Sequence, residues 1–99
     1  VTKIKFQAHA TSEFKKIAAY YAQQKPGLGL DFADELDRTL SYVRSDPEPF
    51  PKVLNEIRHV TMRRFPYCVF YVIREQYVQV IAIGHFRQRP GYWTRRRRK

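Results

Sequence analysis

The stretch "SDPEPFP", residues 45–51, constrains what this chain can fold into more than any other. Three prolines in five residues, Pro47, Pro49 and Pro51, lack the amide hydrogen that a helix interior and a central strand both require, so neither runs through the segment. The chain is therefore divided there. Before it, apolar residues recur mostly at helical spacing; after it, β-branched and aromatic residues dominate. With 99 residues, one two-layer domain is the expectation.

In the first half, "KIKFQAHA" alternates Ile4, Phe6 and Ala8 against Lys3, Lys5 and Gln7, the period of a half-buried strand. Thr11 or Ser12 then offers a helix N-cap, with Glu13 in the favourable first turn. Phe14, Ile17, Ala18 and Tyr21 define one apolar helical face, which "KPGLG" stops through Pro26 and Gly27. A second helix is predicted from about Leu30 to Arg44. Its start is acidic (Asp31, Asp34, Glu35), and its stripe is made by Phe32 or Ala33, Leu36, Leu40 and Val43. Two amphipathic helices with a short connection form an antiparallel hairpin.

In the second half, "EIRHVTMRRF" reads as a strand with mixed faces. "YCVFYVIRE" and "YVQVIAIGHF" read as a central hairpin turning near Glu75 and Gln76. The fold class predicted is α+β: an N-terminal strand, an antiparallel helical hairpin, then a three-stranded antiparallel-rich sheet with the helices on one face. Residues 1–94 are assigned to the single domain and residues 95–99 to a basic C-terminal tail.

Charge is distributed unevenly. Residues 1–50 hold seven Lys/Arg and seven Asp/Glu, whereas residues 51–99 hold twelve and two, so the whole excess of +10 lies in the second half. Such a field attracts nucleic acid, acidic protein segments or anionic membrane, and the last is disfavoured because the basic half reads as strand. No apolar stretch approaches the length of a membrane span and no signal-peptide core is recognisable, so a cytoplasmic protein is expected. The single cysteine, Cys68, excludes an internal disulfide framework and reads as a small buried apolar residue. No metal-ligand spacing, glycine-rich phosphate loop or serine elbow occurs, and neither a metal nor a cofactor is expected.

The last strand opens into "GHFRQRPGYW". His85, Arg87, Arg89, Tyr92 and Trp93 are expected to join Arg58, Arg63 and Arg64, carried on the earlier strand, in one basic surface with aromatic plates. That combination suits RNA or single-stranded DNA, because arginines grip phosphates while rings stack on bases. If the chain cleaves RNA, His85 is the acid or base, Arg64 and Arg87 are clamps, and Tyr92 is a donor or stacking plate. Plainer roles stand beside these. His85 equally suits a backbone hydrogen bond at a strand end, and Trp93 suits a seal beneath the sheet. The terminal "RRRRK" binds polyanions without selectivity and is given no site role.

The succession from "FKKIAAYYAQQKPGLGLDFADEL" through "DPEPFP" and "IRHVTMRRFPYCVFYVI" to "VQVIAIGHFRQRPGYWTRR" resembles the RelE/ParE superfamily of bacterial type II toxins over nearly the whole chain. The resemblance implies a toxin neutralised by an acidic, partly disordered antitoxin that wraps its surface. RelE-like members cleave mRNA in the ribosomal A site; ParE-like members inhibit DNA gyrase. Tyr92 matches the C-terminal tyrosine of the RelE type. Cys68, however, falls where that type carries an arginine, and its lysine-rich segment is absent, with only Lys52 nearby. The long helical hairpin and the "HFRQRPGYW" ending resemble the ParE type, which is the reading preferred. The alternatives are a metal-independent endoribonuclease acting on ribosome-bound mRNA and a non-toxic nucleic-acid-binding module.

Overall fold

Two long apolar strands joined by a tight turn form the centre of the molecule. The computed structural model describes residues 2–86. In chain order its elements are β1 (Ile4–Phe6), α1 (Ala8–Gln24), α2 (Leu28–Ser45), β2 (Lys52–Leu54), β3 (Ile57–Thr61), β4 (Tyr67–Ile73) and β5 (Val78–His85). The strands make one five-stranded mixed sheet in the order β1-β5-β4-β3-β2, with β1 parallel to β5 and the other neighbours antiparallel. This is the α+β architecture that the sequence predicts, with one strand more.

The additional strand is β2. It begins directly after Pro51, lies at the sheet edge and is exposed throughout. Prolines exclude a central strand but tolerate an edge, which is why three residues pair here despite the segment before them. Asn55 closes the turn into β3 with φ of 51°, a left-handed conformation that asparagine adopts more readily than most residues.

The first helix starts earlier than its capping residues suggest. Gln7 donates its amide to the Val80 carbonyl as the last bond of the β1–β5 ladder. Its own carbonyl then accepts the Thr11 amide, so α1 begins at Ala8. Ala8 thus belongs to the helix rather than to the strand alternation. Thr11 lies inside α1, where its hydroxyl bonds back to the Gln7 carbonyl, and Glu13 lies beyond the first turn. The predicted stop at "KPGLG" is where α1 ends. Gly27 takes a φ of 85°, which a side chain would resist, and α2 leaves from it. Gly29 allows close helix contact, since a Cβ there would lie 2.7 Å from the Ala18 carbonyl oxygen.

The helices cover one face of the sheet. Phe32, Leu36, Leu40 and Val43 of α2 are buried with Val60, Val69, Tyr71, Val78, Val80 and Ile83 of the sheet, and Phe14, Ile17 and Tyr21 of α1 pack against them. Ile57, Val72, Ile81 and Ala82 form a separate buried cluster, with Phe70 against it. Burial on both faces accounts for the nearly unbroken apolar runs of β4 and β5. The β4–β5 register runs from Ile73↔Val78 to Tyr71↔Val80, and then resumes at Phe70↔Ala82. Ile81 is thus the extra residue of a β-bulge in β5, where the register shifts.

Candidate functional site

The bulge decides where His85 points. Val78 and Val80 face the helices, and uninterrupted alternation would carry that face to Ala82 and Gly84. The inserted Ile81 shifts it by one, so that Ile83 and His85 turn to the helix side instead. Glu13 of α1 fixes this stretch by accepting the Ile83 amide at 2.9 Å.

His85 consequently stands opposite Tyr67, the first residue of β4, with ring centroids 5.3 Å apart at 80°. The Phe86 ring centroid lies 5.0 Å from that of His85, and the Phe86 amide extends the hairpin by donating to the Pro66 carbonyl at 3.1 Å. Tyr67 continues into an aromatic cluster that joins helices to sheet. Its ring meets Tyr21 and Phe32, and both of those meet Phe65. Burial raises the hydroxyl pKa of both Tyr21 and Tyr67 above the usual tyrosine value, burial being the largest cause in each.

Arg63 and Arg64 occupy the turn between β3 and β4, at the same end of the sheet, rather than the strand predicted for them. The strand stops at Thr61 because Phe65 drops into the aromatic cluster and Pro66 follows it. The turn is tied to α2. Glu35, only 2% exposed, accepts the Arg63 amide at 3.1 Å with one carboxylate oxygen and Arg38 at 2.9 Å with the other. Arg64 lies over the Phe65 ring and 3.7 Å from Asp31, a half-exposed pair that contributes about 1 kcal/mol or less.

Arg58 does not join this group. Strand β4 lies between β3 and β5, so Arg58 pairs with Tyr71, four residues along β4 from the Tyr67–His85 pair. At about 3.3 Å per residue, that is roughly 13 Å along the strand direction. Its guanidinium, 15% exposed, donates to the carbonyls of Glu48 at 2.6 Å and Phe50 at 2.7 Å, and meets the Glu48 carboxylate at 3.4 Å. It holds the proline segment on the sheet. Arg74 sits at the opposite end, in the β4–β5 turn, bonded to Gln79. The described arginines therefore do not make the single basic face expected of them. Arg87, Arg89, Tyr92 and Trp93 lie outside the described residues.

Cys68 is buried, its sulfur 3.6 Å from the Thr61 hydroxyl. Among the described residues no three or more His, Cys, Asp and Glu side chains are grouped to hold a metal, and no helix is long and apolar enough to cross a membrane. The aromatic neighbours of His85 and the acidic anchors Glu35 and Asp31 were not legible as site residues. The hairpin turn points to a neighbour for His85, but its unbulged register names the wrong one, placing Gly84 opposite Tyr67.

With this geometry in hand, comparison with known proteins is decisive for the family. The model of the family described as ParE toxin of type II toxin-antitoxin system, parDE, matches residues 4–90. The chain belongs to the ParE toxin family. A solved structure from the chromosomal ParDE TA system of P. aeruginosa superposes on this ParE-family chain with a TM-score of 0.75, covering 85% of this chain and 95% of that one at 15% identity. That likeness shows the fold. No curated protein matches by sequence. For a ParE-family toxin the relevant partner is an antitoxin, and the match spans the helical hairpin and the whole described sheet.

Proposed function

We propose that this ParE-family chain is a gyrase-directed toxin, with residues 1–94 as the toxin domain and 95–99 as a basic tail, held inactive by an acidic antitoxin. One observation carries the choice between target classes. Cleavage of RNA by the 2′-hydroxyl needs cations beside the acid–base group to offset charge growing on the phosphate. Here the guanidinium of Arg58 is engaged by the Glu48 and Phe50 carbonyls, and Arg64 is drawn towards Asp31 on α2. Among the described residues, the rings of Tyr67 and Phe86 lie beside His85. A half-buried histidine packed against aromatic rings suits docking on a protein. An excess of +10 charges favours an acidic antitoxin, steering it at long range.

The test is a map of mRNA ends in a translation extract, run beside growth of bacteria expressing the chain. Arrest of growth without codon-phased cuts is the expected result. Codon-phased cuts, abolished by replacing His85 and Tyr92 together in a variant that still folds, would establish the endoribonuclease reading instead.

A further inference from the structure

The alternation of β1 sends its two kinds of side chain to opposite faces of the sheet. Ile4 and Phe6 pack on the core beneath the helices, so Lys3, just before the strand, and Lys5, within it, project from the other face, where both are exposed. There they meet the turn between β4 and β5. Lys3, Lys5, Arg74, Glu75, Gln76 and Tyr77 line a cleft of about 410 Å³, at the opposite end of the β4–β5 hairpin from His85.

Neutral groups position the cations of this cleft. Lys5 Nζ stands 4.6 Å from the centroid of the Tyr77 ring, and Arg74 donates at 3.1 and 2.9 Å to Gln79 Oε1, on the β5 residue that pairs with Lys5. Neither a ring nor an amide cancels a charge. Among the described residues no carboxylate stands within ion-pair distance of Lys3 or Lys5, and Glu75 is the one acid of the lining. A cleft of this composition concentrates positive potential towards a ligand.

Two features identify that ligand. Lys3 and Lys5 are alternate residues of an extended segment, roughly 7 Å apart along it, and so match a polymer with regularly spaced charges. No aliphatic residue lines the cleft, and Lys5 already lies over its one ring, so neither an apolar peptide anchor nor an unstacked base finds a plate there. Affinity must come from charge, which is how lysine and arginine hold phosphates. We propose that this cleft grips the phosphate backbone of duplex DNA without reading its sequence. The inference stands apart from the gyrase reading, although a target enzyme that handles DNA would bring duplex to the cleft.

The experiment titrates the whole chain with a short mixed-sequence DNA duplex over a range of salt, reading affinity by anisotropy and the site by the Tyr77 ring resonances. These resonances should shift as Lys5 is drawn from the ring to a phosphate. Lys3→Gln with Lys5→Gln should weaken binding by about tenfold or more, and should reduce the slope of log affinity against log salt by about 1.8, at about 0.9 per phosphate contact. Thermal melting verifies that the variant folds. Replacing Arg95, Arg96, Arg97 and Arg98 by glutamine removes the competing basic run and should leave the Tyr77 shift in place. An unmoved Tyr77 ring, a slope unaltered by the lysine substitutions, or a shift that vanishes with the terminal arginines each overturns the proposal. So does an oligoglutamate peptide that binds as tightly as the duplex and moves the same ring, which would assign the cleft to acidic protein. Tighter binding of single-stranded DNA through the same lysines would overturn the choice of duplex.

Discussion

The rings of Tyr67 and His85 stand 5.3 Å apart, edge to face, because Ile81 is inserted as a bulge in β5 between the residues that pair with Tyr71 and Phe70. One inserted residue thereby ties the end of the last strand to the aromatic cluster beneath the helices. Tyr67→Leu keeps an apolar side chain at this position and removes the ring contact. It should lower stability by about 0.5–1.5 kcal/mol in denaturant titration and shift the His85 ring resonances. Unmoved His85 resonances would contradict the contact.

Arg58 is a structural clamp in this account. Arg58→Met leaves the Glu48 and Phe50 carbonyls without their charged donor, and should cost about 1.5–3 kcal/mol, measured as a lower denaturation midpoint. Activity per folded molecule should be unchanged. Full stability with lost toxicity would instead assign Arg58 to target binding.

Glu35 anchors the β3–β4 turn from inside the helix layer. Glu35→Gln retains one acceptor but loses the charge that strengthens the bonds to Arg63 and Arg38. Exchange at the Arg63 amide should accelerate, with a stability loss of about 1–2 kcal/mol. An unchanged Arg63 exchange rate would show that the turn is held by Phe65 alone.

Tyr71 links stability to alkaline pH. Burial pushes its hydroxyl up to about 12, with Arg58 pulling the other way and Glu48 and Asp46 adding to the rise. The hydroxyl donates to the Pro47 carbonyl at 2.8 Å. In the unfolded chain the group ionises near 10, so its stabilising contribution is complete below that pH and is lost as pH rises through about 12. Tyr71→Phe should flatten the stability curve across that window and remove one late-titrating tyrosine from the ultraviolet absorbance titration. An identical curve in the variant would show that Tyr71 is not the group responsible.

Much of the fold could be read before any coordinates, since local pattern and burial agree along most of the chain. The stripe Phe32, Leu36, Leu40 and Val43 is the buried face of α2, and the reversal at Gly27 and the hairpin turn near Glu75 stand where turn chemistry puts them. What escaped depended on tertiary partners. The start of α1 follows from a ladder bond between Gln7 and Val80, which overrides the capping preference of Thr11 and Ser12. Arg63 and Arg64 left the strand because Phe65 is drawn into the core. The bulge at Ile81 carries no local signal, being one β-branched residue among several, yet it inverts the face to which His85 belongs. For the site, the sequence reading grouped Arg58, Arg63, Arg64 and His85 on one surface, and of these Arg63, Arg64 and His85 lie at one end of the sheet. It placed Arg58 with them because chain order did not reveal that β4 intervenes.

The central claim is that this ParE-family chain acts on gyrase through a protein-docking surface rather than on RNA. A supercoiling assay with purified gyrase, relaxed plasmid and the purified chain tests it most directly. Loss of supercoiling in proportion to the chain added is the predicted result. Undiminished supercoiling at saturating chain, from a preparation that still arrests growth, would contradict it.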